Sequence, residues 1–289
     1  MNQITDLSAP RQTAGGQKGL TSLIVGNEKG GAGKSTLAIH TAIALIKCGL
    51  KVGVIDLDRR QQSMSRFFDY RRRWMLSAGV DLAMPKILDL IDREGYAPDP
   101  DDMAREDWRE VLSRARKLDI LVVDTPGGVT PLSKAAHEAA DIIVTPMNDS
   151  FIDFELLGSL DPRTFKVERP SQYAEMIWES RKRRSARDRR SIDWVVVRNR
   201  LSTLDARNKR RVADNLAELS RRVAFRIAPG VSERVIYREL FPRGLTVLDM
   251  GEAGVDAAPS LSHVAARQEL RDLVIALKLP SLAGQPLGF

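Results

Sequence analysis

Short apolar, β-branched runs recur along the chain at Ser22 to Val25, Val52 to Leu57, Ile120 to Val123, Ile142 to Thr145, Trp194 to Val197 and Phe225 to Ala228. Each reads as a strand, and helical patterns separate most of them. That alternation predicts an α/β fold: a doubly wound, predominantly parallel sheet with helices on both faces and right-handed crossovers. A first helix is expected at Leu37 to Leu45. A second spans Asp205 to Arg222, where Val212, Leu216 and Leu219 at i, i+4 and i+7 define a core-facing stripe. A third, amphipathic segment at Val264 to Leu277 is expected to pack on the sheet. The order of elements favours a single domain over residues 21–279. Residues 1–20 carry Pro10 and Gly15-Gly16 and lack the continuous apolar core of a signal peptide, so they read as a mobile tail; residues 280–289 read as a C-terminal tail.

Composition adds a partner class. Lys and Arg number 45 against 38 Asp and Glu, and the net charge of +7 is unevenly spread. One run is Arg181-Lys182-Arg183-Arg184 with Arg187, Arg189 and Arg190, read as a loop at the periphery of the sheet. Another is Arg207, Lys209, Arg210 and Arg211. Arg207 and Arg210 project opposite the apolar stripe of their helix and Arg211 sits on its shoulder, a geometry suited to tracking phosphates, with Arg222 and Arg234 extending the patch. Helix-turn-helix and zinc-ligand patterns are absent, so DNA binding there is expected to be sequence-independent. No membrane span is evident. Cys48 is the single cysteine, which excludes a disulfide within the chain and suits a cytoplasmic location.

The chemistry concentrates after the first strand. Glu28-Lys29-Gly30-Gly31-Ala32-Gly33-Lys34-Ser35-Thr36 follows Leu23-Ile24-Val25 and opens a helix, the context of a loop that binds a nucleoside triphosphate. Small residues let successive N–H groups turn toward phosphates, the helix N-terminus adds partial positive charge, and Lys34 adds a full one. Ser35 would ligate Mg²⁺ through its hydroxyl. Asp56 and Asp58 lie on one side of an extended segment, one able to serve Mg²⁺ and the other water. Asp124 ends a buried-type strand, as expected of a carboxylate that positions Mg²⁺. Gly127 and Gly128 then permit a close backbone approach to the γ-phosphate. His40, His137 and His263 are scattered and read as packed or surface residues.

The loop departs from the common pattern, with Glu28 in place of its first glycine and a second lysine at Lys29. It resembles the deviant phosphate loop of the ParA/MinD group. The resemblance implies that Lys29 reaches the nucleotide of a partner subunit in an ATP-sandwiched homodimer, that Asp58 orients the attacking water while Asp56 serves the outer shell of the metal, and that Asn199 contacts adenine. Pro229 is a further candidate for lining the base pocket. Val25-Gly26-Asn27-Glu28-Lys29, Asp124-Thr125-Pro126-Gly127-Gly128, Thr145-Pro146-Met147-Asn148-Asp149-Ser150-Phe151 and Val235-Ile236-Tyr237-Arg238-Glu239-Leu240-Phe241-Pro242 resemble the MipZ family more closely. That resemblance runs from about Leu23 to about Leu279 and thins between Asp81 and Lys117. It implies a division-site regulator that binds ParB and, as an ATP dimer, nucleoid DNA, opposes FtsZ assembly, and resets by slow ATP hydrolysis with Lys29, Lys34 and Asp58 as the catalytic set. The tail after Pro280 lacks a terminal basic membrane anchor. One cysteine is too few for a bridged iron–sulfur reductase or a zinc-linked targeting ATPase. A ParA-type cargo partitioner is the alternative within this chemistry; a biosynthetic ATP-dependent ligase or amidase, or a DNA-coating protein without meaningful hydrolysis, stands outside it.

Overall fold

A computed structural model describes residues 19–90, 99–161, 163–164, 166–201, 206–252, 255 and 260–289, with the side chains of residues 206–209 excepted. The N-terminal tail predicted for residues 1–20 therefore lies almost wholly outside the described residues, as does the side chain of Arg207. Strands are β1 (Thr21–Val25), β2 (Val52–Asp56), β3 (Lys86–Ile87), β4 (Ile120–Asp124), β5 (Ile142–Asn148), β6 (Gly158–Leu160), β7 (Val167–Pro170), β8 (Asp193–Asn199) and β9 (Arg226–Ala228). Helices are α1 (Lys34–Lys47), α2 (Ser63–Ala78), α3 (Pro100–Ala115), α4 (Pro131–Glu138), α5 (Phe151–Phe154), α6 (Gln172–Asp188), α7 (Ala206–Val223), α8 (Ile236–Leu240) and α9 (Leu261–Ala276).

Seven strands form one parallel sheet in the order β3-β2-β4-β1-β5-β8-β9. Alternation along each strand divides the interior in two. Leu23, Val25, Val54, Val122, Val144, Val195 and Val197 face a core shared with α1, α2 and α9. Ile24, Ile55, Leu121, Val123, Ile143 and Val196 face a second core shared with α3, α4, α6 and α7. Side chains alternating with period two on strands covered on both faces produce this split. The stripe predicted for α7 is fully buried at Val212, Leu216 and Leu219. The C-terminal helix packs on α1, within the core on that face of the sheet.

Two elements escaped the sequence pattern: the two-residue edge strand β3 and the antiparallel hairpin β6–β7. The basic run of residues 181–190 corrects an expectation, since most of it is helical, in α6, and part is buried. Arg184 is 5% exposed and donates to Ala139 O, to Ala140 O at 3.1 Å and to Asp141 Oδ1 at 2.6 Å. Arg181 donates to Ile192 O, Val223 O and Ala224 O at 2.8–3.1 Å and lies over the Trp194 ring at 5.9 Å. Helices α4 and α7 end beside α6, and the last carbonyls of a helix have no partner within it; these two guanidiniums supply one. The final residues, expected as a tail, pack onto the core, with Phe289 9% exposed beneath the guanidinium of Arg271.

Candidate nucleotide site

Parallel register brings three strand ends together, with Val25 opposite Asp124 and Asp124 opposite Asp56. The phosphate loop leaves β1 at this edge, the crevice where ligands settle in open α/β sheets. Asn27 shapes its entry: its side-chain amide donates to Pro146 O and its carbonyl oxygen accepts from Lys29 N, both at 2.6 Å. Gly31 and Gly33 take φ of +77° and +84°, left-handed values that glycine adopts without steric cost.

Four longer helices are closed at their N-termini by the side chain of the N-cap residue: Asp99 for α3, Thr130 for α4, Ser171 for α6 and Ser260 for α9. Helix α1 is the exception that matters. Gly33 is its N-cap and offers no side chain, so the first N–H groups of α1 face the loop as anion donors. Lys34 is 8% exposed and its Nζ donates to Lys29 O at 2.9 Å, which folds the ammonium back over the loop. Burial lowers the Lys34 pKa, while Asp124 and Asp58 oppose the shift. Lys29 Nζ donates to Ile152 O at the start of α5.

Asp124 is 1% exposed and neither carboxylate oxygen has a hydrogen-bond partner among the described residues. Burial pushes its pKa up to about 8, with Ser35 and Lys34 favouring the charged form and Asp56 and Asp58 opposing it. A buried carboxylate of this kind beside a hydroxyl fits a hydrated divalent cation, and Mg²⁺ characteristically keeps several waters and takes few protein ligands. No cluster of three or more His, Cys, Asp or Glu able to hold a metal occurs among the described residues.

The other predicted residues are distributed unevenly. Asp56 is engaged by backbone: Oδ2 accepts from Met64 N and Ser65 N and Oδ1 from Asp58 N at 3.0–3.1 Å, so it caps α2. Asp58 Oδ1 accepts from Arg60 N and Gln61 N at 3.1 and 2.9 Å, holding the turn beside the loop. A Cβ at Gly127 would stand 3.5 Å from Glu28 O and Gly30 N, so the segment after Asp124 runs close to the phosphate loop. Asn199 Nδ2 donates to Ala32 O at 2.8 Å, binding the end of β8 to the loop. An adjoining cavity of ≈ 130 Å³ is lined by Thr36, His40, Asn199, Val231, Ser232 and Tyr237 among others. Pro229 is exposed and outside that lining, whereas Val231 and Ser232 supply it; their sequence neighbourhood carries no phosphate-loop signal, which is why they were not anticipated. Thr125, whose Oγ1 donates to Val25 O at 3.0 Å, was also missed as a tie between β4 and β1.

Among the basic residues, Arg210 and Arg211 are exposed on α7. Arg222 donates to Val167 O and Glu168 O at 2.8 and 2.9 Å, and Arg234 pairs with Glu269 at 2.7 Å and donates to Ser262 Oγ at 3.0 Å. Both guanidiniums are engaged within the fold, Arg234 largely buried and Arg222 with 39% of its side chain exposed.

A family model described as ATPase MipZ matches residues 21–281. The chain belongs to the MipZ family. It is 28% identical over 162 residues to the cytosolic Fe–S cluster assembly factor CFD1 of Kluyveromyces lactis, covering 45% of this chain and 55% of that protein. It is also 28% identical over 177 residues to the chromosome partitioning protein ParA of Caulobacter vibrioides, covering 50% and 66%. The chain thus spans between about half and two-thirds of the length of these relatives. An McdA variant of Cyanothece in complex with ATP superposes with a TM-score of 0.59 at 16% identity, covering 90% of this chain and 97% of that one. At that identity the likeness establishes the MinD/ParA type of fold. Among the described residues no helix is long and apolar enough to cross a membrane.

Proposed function

We propose that this MipZ-family chain is an ATP-dependent dimerising switch: it binds nucleoid DNA without sequence preference, associates with ParB, and positions the division site by opposing FtsZ assembly. Slow ATP hydrolysis resets the dimer. The observation that carries the reading is the phosphate loop, where Lys34 and the side-chain-free N-terminus of α1 converge while Lys29 stands on the rim. Lys34 and the backbone donors hold the phosphates; a lysine about 4 Å from a phosphate charge contributes roughly 4 kcal/mol at an effective dielectric near 20. Mg²⁺, when bound, would neutralise charge developing on the phosphates, with Ser35 and Asp124 as its protein partners. Asp58 orients the attacking water. Lys29, released from Ile152 O, serves the nucleotide of a second copy. Ile152, whose carbonyl holds Lys29, is 74% exposed, apolar surface that such a copy would cover. The iron–sulfur role named for one relative finds no support in a chain with a single cysteine.

DNA binding falls to α7, through the exposed Arg210 and Arg211 and, from the sequence reading, Arg207. Their contacts would be to phosphates, and dimerisation doubles them without new residues.

The test is size-exclusion chromatography with light scattering on the wild type and Asp58→Ala, in ADP or ATP, with and without a short random duplex. An ATP-specific dimer that is enriched by Asp58→Ala and alone retains DNA supports the switch, and FtsZ assembly assays follow. A monomer in every condition rejects the sandwich dimer and favours a metabolic ATP-dependent ligase.

A further inference from the structure

The basic run of α6 splits by helical face. Arg181 and Arg184 serve backbone carbonyls, whereas Arg183, Arg187 and Arg190 join Arg105 and Arg109 of α3 and one edge of Arg184 around a cleft of ≈ 620 Å³. Three carboxylates share it, and each already carries a guanidinium: Glu138 with Arg183 at 2.5 Å, Asp141 with Arg184 at 2.6 Å, and Asp188 with Arg184 at 2.8 Å. Six guanidiniums against these three carboxylates and Asp102, which holds Arg105 at 2.8 Å, leave a local charge of +2. Arg183, Arg187 and Arg190 keep 49%, 54% and 67% of their side-chain surface exposed, so that surplus is accessible. Trp108, 2% exposed, lines the same cleft, and its Nε1–H has no acceptor among the described residues. Guanidinium and indole groups donate and never accept, so the walls are rich in donors and short of acceptors.

We infer that this cleft is a second anion site, built for a compact oxyanion carrying two or more negative charges on clustered phosphates or carboxylates. Arginine forks match both groups bidentately. The interleaved Glu138, Asp141 and Asp188 oppose a continuous phosphate backbone such as DNA. The chain's own first eighteen residues hold Asp6 against Arg11 and Lys18 and so do not supply the missing charge. Ser22 and Asp141, at the start of β1 and just before β5, line the cleft, which lies at the opposite edge of the sheet from the strand ends at Asp56 and Asp124. Occupancy is therefore compatible with nucleotide and independent of the nucleotide reading.

The experiment titrates inorganic pyrophosphate, and separately citrate, at fixed ionic strength, by calorimetry and tryptophan fluorescence. It uses Lys34→Ala, to remove binding at the phosphate loop, and the wild type saturated with ADP. Saturable one-to-one binding in both is expected, weakened about tenfold by Arg187→Gln with Arg190→Gln, the equivalent of two modest contacts. Trp108→Phe should remove most of the fluorescence change and leave the calorimetric signal. A preference for pyrophosphate assigns the phosphate source, and one for citrate the carboxylate source. Absence of saturable binding for both anions at millimolar concentration overturns the site. Undiminished binding in a double variant that melts like its parent overturns it as well.

Discussion

Gly33 holds φ of +84° with the Asn199 amide 2.2 Å from where a Cβ would stand, so the loop excludes every side chain at this position. Gly33→Ala should lose about 1–2 kcal/mol from the left-handed backbone alone and displace Asn199, abolishing nucleotide binding in a calorimetric titration. The lysines separate by role. Lys34→Ala should abolish binding, Lys29→Ala should spare the monomer's affinity and weaken dimerisation, and Asp58→Ala should keep the ATP dimer and stop turnover. Equal loss of ATP affinity in all three would refute that division. Asn199 was read from sequence as a contact to adenine, yet here its amide supports Ala32 O. If support of the loop is its main work, Asn199→Ala weakens ATP and GTP by the same factor; a change in their ratio would return it to base reading.

Within α6, neighbours in sequence have opposite fates because 100° of rotation per residue carries one arginine into the interior and the next into water. Arg184→Met should cost about 2 kcal/mol, since it removes the donor to Ala140 O and the ion pairs to Asp141 and Asp188, whereas Arg187→Met should stay within about 0.5 kcal/mol; urea midpoints decide. Charge runs in a sequence do not reveal this difference, because burial depends on which helix ends happen to lie alongside. The apolar strands and α7 were legible for the opposite reason: periodicity records burial directly, and Val212, Leu216 and Leu219 fall where it predicts. The glycine-rich turn that opens α1 was legible because its glycines and lysines are adjacent. The lining by Val231 and Ser232 was not, since it is assembled from β8, α1 and the segment after β9.

Across the whole molecule, acid stability depends on buried imidazoles. Burial pushes His40 from 6.5 to about 4, with the bond to Thr36 O opposing, and His137 is lowered by burial as well. Between those values the unfolded chain binds a proton that the folded chain refuses. The stability that His40 contributes is therefore intact above about pH 6.5 and falls by about 1.4 kcal/mol per unit below it, while the raised pKa of Asp124 contributes a slope of opposite sign over the same range. His40→Gln should raise the urea midpoint at pH 5 relative to that at pH 7 compared with the wild type, and an unchanged difference would remove His40 as a contributor. The tie from Asn199 to Ala32 carries a different consequence. The strand it ends is followed in sequence by α7, the face proposed above for DNA, so on that proposal one amide joins the two binding regions. Linkage requires that if ATP tightens DNA binding by some factor, DNA tightens ATP by that same factor. A chromosome would then act as an effector that lengthens the life of the nucleotide-bound state wherever it is densest.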